Sequence, residues 1–305
     1  MDREGGEHLP VLVEEVSFLL RPRRGGWVVD ATVGMGGHAE ALLEHSAAEV
    51  RLLGIDRDPD ALATAGARLA RFGPRVVLRR GNFRHLEALA RSVGVSEAET
   101  VLLDLGVSSY QLESSGRGFS FQTDAPLDMR MDRSQGSTAA ELLQRLSEAE
   151  LAQIIAEYGG EPHARRIARQ IVARRKQAPV TTTQELVTLV KAAVPRRAWP
   201  RRTHVATRTF QALRIAVNDE LRALAEALPQ AARLLAPGGR LGVISFHSGE
   251  DRTVKRTFRA LASGPYVPLT PRPIRPSHDE LRANPRARSA KLRILERQEV
   301  ADVAA

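Results

Sequence analysis

The sequence contains no cysteine, few aromatic residues and no long apolar run. Without cysteine it can form neither disulfide bridges nor thiolate metal sites, and the zinc-dependent base deaminases, which need a Cys-x-x-Cys pair, are excluded. No His-Glu-x-x-His pattern occurs either, so we expect no metal site. The 8 Phe, 3 Tyr and 2 Trp are too few for an extended platform that stacks single-stranded bases. No apolar segment reaches the roughly 18 residues of a membrane span or has the form of a signal peptide, so we expect a cytoplasmic protein without a membrane partner.

Lysine is also scarce, since 41 of the 45 basic residues are arginine, and the basic residues are unevenly placed. Residues 160–210 carry 12 basic and 2 acidic side chains, and residues 252–293 carry 11 and 2. These segments together hold a net charge of +19, so the rest of the chain holds −10 to give the total of +9. Arginine forks match phosphate groups, and basic segments of this density predict a nucleic-acid partner. The alternative is a set of solvated arginine faces without a partner.

Short apolar runs of strand type alternate with helical patterns along the chain. This alternation predicts an α/β fold with a doubly wound, mostly parallel sheet and crossover helices. The predicted strands lie at residues 27–30, 50–55, 75–78, 101–105, 240–246 and 292–295, with the last closing the sheet. Helices are predicted at 39–45, 58–72 and 82–92.

A long interval of about 135 residues separates the fourth and fifth predicted strands. It holds a Gly/Ser-rich loop followed by predicted helices at 138–157, 162–177, 183–194 and 203–227. We therefore expect an all-helical substrate-recognition domain at 113–212, inserted into a domain made of 1–112 and 213–305. Residues 263–289, which include six prolines, are expected to form an irregular basic loop.

The segment after the first predicted strand carries the clearest chemical signal. Asp30 ends that strand, the loop reads Gly34-x-Gly36-x-x-Ala39, and Asp56 ends the next strand. Glycines let backbone N–H groups approach a ligand closely, and a carboxylate about 20 residues further on can hold ribose hydroxyls. The pattern therefore predicts an adenosine-containing cofactor. Asp30 would repel a pyrophosphate but suit the cationic S-adenosylmethionine, so a methyltransferase is favoured, and a nicotinamide-dependent oxidoreductase stays the alternative.

Asp104 and His247 follow the fourth and fifth predicted strands, where a doubly wound sheet places its site. A buried carboxylate such as Asp104 needs a partner, because burying an unpaired charge is costly. Asp104 either binds the amine of a nucleobase, or it has a structural role as a helix N-cap or as a member of an ion pair within the protein. His247 is either a proton acceptor or a hydrogen-bonded histidine of the site's rim.

Several longer blocks, in order over nearly the whole chain, carry a family pattern. They are residues 8–12 (HLPVL), 30–38 (DATVGMGGH), 104–109 (DLGVSS) with 111–112 (QL), 117–121 (RGFSF), 127–132 (LDMRMD), 209–215 (TFQALRI), 244–248 (ISFHS) and 289–293 (SAKLR). Together they resemble the ribosomal RNA small subunit methyltransferase H family, also called MraW. One position departs from the family: Gly249 stands where leucine is usual, which puts the packing and flexibility of residues 247–252 in doubt.

The resemblance implies a class I S-adenosylmethionine methyltransferase domain, Rossmann-like, with an inserted helical domain. It implies methylation of the exocyclic N4 of a cytidine in the decoding centre of 16S rRNA, as naked RNA or in the small ribosomal subunit. By position in the motifs, the cofactor residues would be Gly36, Gly37 and His38 at the methionine part, Asp56 at the ribose, Phe83 at the adenine, and Asp104 and Gln111 completing the pocket. A methyltransferase for another RNA or DNA base, and a monomer or a homodimer, stay open.

The catalytic residues are a hypothesis. The N4 lone pair of cytosine is delocalised into the ring, so the amine must be held close to the methyl group and must lose a proton. We expect Asp104 to accept that proton, with Ser108, Ser109 or His247 orienting the amine.

Overall fold

The computed structural model describes residues 10–22, 25–107 and 116–299. The chain forms two compact units, the first made of Met1–Gly106 with Leu221–Ala305 and the second of Val107–Glu220. The second unit begins at Val107 rather than at 113 and ends at Glu220 rather than at 212. It is longer than expected because the helix over Thr207–Asn218 lies wholly within it.

The first unit is built on a seven-stranded sheet with the order β3-β2-β1-β4-β5-β7-β6. Its strands are β1 (Trp27–Asp30), β2 (Arg51–Asp56), β3 (Val76–Arg80), β4 (Ala98–Asp104), β5 (Leu235–Ser245), β6 (Tyr266–Pro268) and β7 (Lys291–Arg297). Strands β1 to β5 are parallel, and β7 is antiparallel to both of its neighbours. The predicted α/β fold with a doubly wound, mostly parallel sheet is therefore confirmed.

Twelve α-helices lie in the described part of the chain. They are α1 (Val13–Leu19), α2 (Gly37–Glu44), α3 (Pro59–Leu69), α4 (Leu86–Arg91), α5 (Ala139–Arg145), α6 (Glu148–Gly159), α7 (Ala164–Arg175), α8 (Thr183–Ala193), α9 (Thr207–Asn218), α10 (Glu220–Arg233), α11 (Ser248–Leu261) and α12 (His278–Ala283). Among these described helices, none combines the length and the apolar character that a membrane span requires.

The sheet has an apolar core on each face, because successive side chains of a strand point to opposite sides. Val29 and Val101 belong to the cluster that includes α4 and the apolar face of α10. Val28 and Leu102 belong to the other cluster, which includes α1 and α2. Both faces are covered, which is why the central strands are apolar throughout.

The second unit is helical and has a core of its own. Side chains from α5 to α9 pack with the segment that precedes them, and Met129, Ile155, Ile167, Leu186 and Phe210 are buried in this cluster. The helical character agrees with the expectation for the inserted segment.

Two of the predicted helices are wrong in extent, because each is interrupted. The one at 138–157 breaks at Leu146, which is extended (ψ 144°), and Ser147 then caps α6. The one at 203–227 breaks at Asp219, which has a left-handed backbone (φ 50°).

The expectation for the C-terminal region is also partly wrong. Residues 263–289 include a short strand and a short helix, β6 and α12, in addition to loop. β7 does not close the sheet, because β6 pairs with its outer side. Pro268 ends this three-residue edge strand, a position that proline tolerates.

Candidate active site

Three carboxyl side chains lie at the carboxyl ends of adjacent strands. Asp30 ends β1, Asp56 ends β2 and Asp104 ends β4, and β1 lies between the other two strands. In the register, Asp30 is paired with Gly54 and with Leu102, so Asp56 and Asp104 each extend two residues beyond it. Parallel strands thus bring together residues that are far apart in sequence, at the edge where doubly wound sheets bind ligands.

Asp56 is held by backbone donors from the glycine loop and from its own turn. Its Oδ2 accepts a hydrogen bond from Gly34 N (3.0 Å) and its Oδ1 accepts one from Asp58 N (2.9 Å). Gly34 reaches this position with φ +51°, a conformation that suits glycine. A carboxylate can accept about four hydrogen bonds, so Asp56 keeps lone pairs for a pair of ligand hydroxyls.

Phe83 is brought next to Asp56 by the end of β3. Gly81 N donates to Asp56 O (2.9 Å), and Asn82 then caps the short 3₁₀ helix that begins at Phe83. The Phe83 ring is partly buried against the core. Phe83 therefore lies two residues after the backbone N–H that is bonded to Asp56.

Gly36, Gly37 and His38 form the start of α2. Gly36 has a left-handed backbone (φ +84°) and no side chain caps the helix there. His38 is buried, and its Nε2 lies 2.8 Å from Val11 O. Because a carbonyl only accepts, Nε2 is assigned the proton, which leaves Nδ1 with a lone pair when the ring is neutral. Nδ1 lies 3.5 Å from Asp104 Oδ2.

Asp104 is an incompletely satisfied carboxyl. Its backbone N donates to Thr32 Oγ1 (2.6 Å), while its side-chain Oδ1 is buried and has no hydrogen-bond partner among the described residues. Burial, followed by the nearby charge of Glu250, raises the pKa of Asp104 to about 7. The side chain keeps 23% of its exposure, so a ligand can reach it.

Asp30 lies deeper, with 1% exposure, and accepts a hydrogen bond from Thr32 N (3.2 Å). Burial raises the pKa of Asp30 to about 7, and only His38 and the Thr32 N–H work against this rise. The pKa of His38 is itself lowered by burial, so its positive charge is disfavoured. Among the described residues, the cationic side chain that lowers the pKa of Asp30 is thus one whose own positive charge is disfavoured. A cationic ligand would stabilise the ionised forms of Asp30 and Asp104.

His247 caps α11. Its Nδ1 accepts from Gly249 N (3.2 Å) and Glu250 N (3.4 Å), and Glu250 Oε2 in turn accepts from the backbone N–H groups of Phe246 and His247. This capping box favours the hydrogen-bonded role over the proton-acceptor role, because the Nδ1 lone pair is already used. Gly249 lies in the first turn of α11, where an added Cβ would meet the His247 ring at 3.1 Å. Residues 248–252 therefore form the start of α11, with His247 as its cap.

Sequence reasoning assigned no role to Glu250 or Thr32, although both shape the site. Glu250 is 2% exposed and raises the pKa of Asp104, and Thr32 bonds to the two neighbouring strand ends. The spacing His247-x-x-Glu250 was an available signal, since it is that of a capping box. Ser108, Ser109 and Gln111 lie outside the described residues, so their predicted roles stay predictions.

The fold and the site together define a doubly wound α/β protein built to bind a ligand at a glycine loop and a cluster of buried carboxyls. The sequence model of the MraW methylase family matches residues 5–298. Ribosomal RNA small subunit methyltransferase H of Geotalea daltonii is 52% identical over 307 residues, covering 95% of this chain and 98% of the relative. The protein of the same name from Heliobacterium modesticaldum is 49% identical, with the same coverage. The chain belongs to the MraW methylase family.

The likeness to solved structures is looser. A putative methyltransferase from Streptococcus mutans in complex with SAH superposes with a TM-score of 0.47 at 10% identity, over 94% of this chain and 98% of that one.

Proposed function

We propose that this protein transfers a methyl group from S-adenosylmethionine to the exocyclic N4 of a cytidine in the decoding centre of 16S rRNA. Family membership and the names of the relatives support the methylation of small-subunit ribosomal RNA. The observation that carries the proposal is the buried pair of carboxyls, Asp30 and Asp104, whose neighbour His38 is disfavoured as a cation. The work of such an enzyme takes place in the cytoplasm, on the rRNA or the small subunit.

The residues present fit S-adenosylmethionine. Asp56 has lone pairs for the ribose hydroxyls, and Phe83 follows at the place where an adenine would lie. The start of α2, with Gly36, Gly37 and His38, and also Gln111, would complete the pocket. Asp30 would stabilise the ammonium group. When bound, the cofactor supplies an electrophilic methyl group on a sulfonium centre.

Asp104 would accept the proton that the N4 amine loses as its new bond to carbon forms. The carboxyl must be ionised for this, and its pKa near 7 matches the usual working pH of a general base. His38 Nδ1 lies 3.5 Å from Asp104 Oδ2, so a proton taken up by Asp104 can be hydrogen-bonded to the Nδ1 lone pair while the ring stays neutral. Ser108 remains a proposed orienter of the amine. His247 would support the site through Glu250 and the start of α11.

Two alternatives differ from this proposal in definite ways. Methylation of another base would use the same cofactor site and differ in the modified atom. A nicotinamide-dependent oxidoreductase would need a pyrophosphate beside Asp30 and Asp104, and buried carboxyls repel it. The acid cluster therefore favours a methyltransferase.

The first test is mass spectrometry of 16S rRNA nucleosides from a strain that lacks this protein, before and after complementation. We expect an N4-methylated cytidine to disappear and to return with the parent protein. Restoration of a different modified nucleoside would contradict the proposed base.

The second test concerns Asp104. Asp104→Asn should lower the rate of methyl transfer by about 10²–10⁴-fold, as expected for loss of a general base, while S-adenosylhomocysteine binding, measured by calorimetry, weakens much less. Asp279→Asn, at a side chain 91% exposed, is the matched control and should keep the parent rate. A near-parent rate for Asp104→Asn would rule out the acceptor role.

A further inference from the structure

We infer that one end of the helical unit docks the phosphate backbone of the RNA substrate, an inference that rests on the proposed function. We name this end the basic pole and define it by six arginines: Arg165, Arg166, Arg196, Arg197, Arg201 and Arg202. The first two lie in the first turn of α7. The other four lie in the connection between α8 and α9.

Contacts within the helical unit bring these segments to the same end. Gln211 Nε2, on α9, donates to Tyr158 O near the end of α6 (3.1 Å), and Gly159 lies against the backbone carbonyl of Arg208. The end of α6 therefore meets the start of α9. Only four residues separate α6 from α7, so the start of α7 lies at this end as well.

The end of α8 also lies at the basic pole. Arg174 Nη2, at the end of α7, donates to Glu185 Oε1 in the first turn of α8 (3.4 Å), so α8 begins where α7 ends and runs back from there. Trp199 Nε1 donates to Val194 O (3.0 Å), which holds the connection against the residue that follows α8. The connection that carries the four arginines thus begins and ends at the basic pole.

The six arginines are exposed and unneutralised. Each has an exposed side chain, and within the described chain no carboxylate lies at ion-pair distance from any of them. Arg196 has its guanidinium 5.2 Å from the centroid of the Trp199 ring, a contact that leaves its charge unpaired. A polyanion would stabilise guanidinium groups that have no carboxylate partner.

The opposite end of the unit is different. There Arg145 is exposed, but two arginines are bonded inside the protein: Arg174 donates to Ala178 O (2.6 Å) and Arg175 to Leu146 O (2.6 Å). Acidic residues begin the helices at this end, with Glu148 in α6 and Glu185 in α8. Exposed arginines are therefore more numerous at the basic pole than at the opposite end.

Helix starts follow the same polarity. α6 and α8 begin at the opposite end, and each has a complete capping box. α7 and α9 begin at the basic pole, and no side chain caps either one. The positive ends of their dipoles add to the attraction for anions.

The ligand chemistry is that of phosphodiester groups. Arginine binds phosphate oxygens in a bidentate way, and Trp199 is the single aromatic residue in the connection, so base stacking contributes little. Contacts of this kind position an RNA without reading its sequence. The basic pole would therefore set affinity, while the site in the first unit selects the base.

The test compares charge-matched double variants of the full-length protein. Arg165→Gln/Arg166→Gln and Arg201→Gln/Arg202→Gln remove two charges each from the basic pole. Arg133→Gln/Arg145→Gln removes two exposed arginines of the same unit outside it. Binding to protein-free small-subunit rRNA is measured by filter binding at several salt concentrations, with S-adenosylhomocysteine binding as a check on the first unit.

We expect each pole variant to bind RNA about 10-fold more weakly and to reduce the slope of log K against log salt by roughly 1.5, as for two lost phosphate contacts. The control should keep the parent slope. Equal slopes for pole and control variants would overturn the inference. So would loss of binding to small subunits with unchanged binding to free rRNA, because the partner would then be an acidic protein. A parent protein that binds rRNA through the pole but methylates no cytidine would instead contradict the proposed function alone.

Discussion

Residues of two family blocks, 117–121 and 127–132, hold together a loop of the helical unit. Buried Arg117 donates to Arg130 O (3.0 Å) and Met131 O (2.9 Å), and Asn218 accepts from Met131 N (2.9 Å) and donates to Met129 O (2.7 Å). Met129 has a left-handed backbone (φ +62°), which these bonds hold in place. Backbone groups of the block 127–132 are thus hydrogen-bonded by the side chains of Arg117 and Asn218, which lie elsewhere in the sequence.

Gly118 gives a prediction at this scale. It has φ +72°, and an added Cβ would lie 2.5 Å from Pro126 O and 3.0 Å from Asp128 N. Gly118→Ala should therefore lower the free energy of unfolding by about 3 kcal/mol, in the range of severe core and backbone lesions, as measured by urea denaturation.

Gly136 provides the control for Gly118. It has a similar φ (+77°) in the same unit but open space around it, so Gly136→Ala carries only the left-handed strain of about 1 kcal/mol. Equal effects of the two substitutions would show that the clash at Gly118 is relieved by movement of the loop.

At the scale of elements, α11 is tied to β7 by a charged cluster. Asp251 Oδ2 accepts from Lys291 Nζ (3.0 Å) and Oδ1 accepts from Arg293 Nε (2.8 Å). Burial opposes ionisation, but the bonds from Arg293 and Lys291 outweigh it and hold the pKa of Asp251 below its usual value. The 289–293 block of the family pattern therefore includes structural ion-pair partners.

Removing Asp251 should be costly, because it would leave Arg293, only 8% exposed, without its carboxylate. We expect Asp251→Ala to lower the free energy of unfolding by about 3 kcal/mol, as for other broken buried pairs. Arg222→Ala, in an exposed pair with Glu226, should change it by less than about 0.5 kcal/mol. Urea denaturation of both variants checks this, and a small effect at Asp251 would mean that the cluster is well solvated.

At the scale of the whole molecule, the buried acid cluster makes stability depend on pH. The pKa of Asp30 rises on folding from 3.8 to about 7, mainly through burial, with Asp104 and Asp56 adding to the rise and His38 opposing it. Folded protein then binds protons more tightly than unfolded protein. The stabilising contribution is complete below about pH 4 and is lost as the pH rises through about 7.

Asn resembles the protonated, uncharged form of Asp30, so Asp30→Asn should remove this pH dependence. In the unliganded protein we expect the variant to be more stable than the parent at pH 8, by on the order of 2–4 kcal/mol, and the difference to be much smaller at pH 5. Urea denaturation at the two pH values measures the difference, with Asp279→Asn as the exposed control. An Asp30→Asn effect that is equal at both pH values would show that Asp30 stays ionised in the folded protein.

Much of the fold, and the meeting of the glycine loop and the acids at one edge of the sheet, could be predicted from local sequence. Apolar strand runs, the glycine loop and the acids at strand ends are adjacent in sequence, and parallel strands with crossover helices bring their ends to the same edge. Helix ends were harder to predict. Leu146 and Asp219 interrupt apolar helical patterns because their backbone angles are set by packing and capping, which periodicity does not reveal.

The sequence by itself determined the sheet, the glycine loop, the acids and the positions of the basic segments, because these follow from local patterns and composition. Only the tertiary structure decided which charges are available for binding. Arg117, Arg175 and Arg293 are bonded to carbonyls or carboxylates 13 to 42 residues away, whereas the six arginines of the basic pole have no carboxylate at ion-pair distance among the described residues. It also placed His38 beside Asp104. A charge count treats all arginines alike, and folding separates them because buried groups must find partners and exposed ones need not.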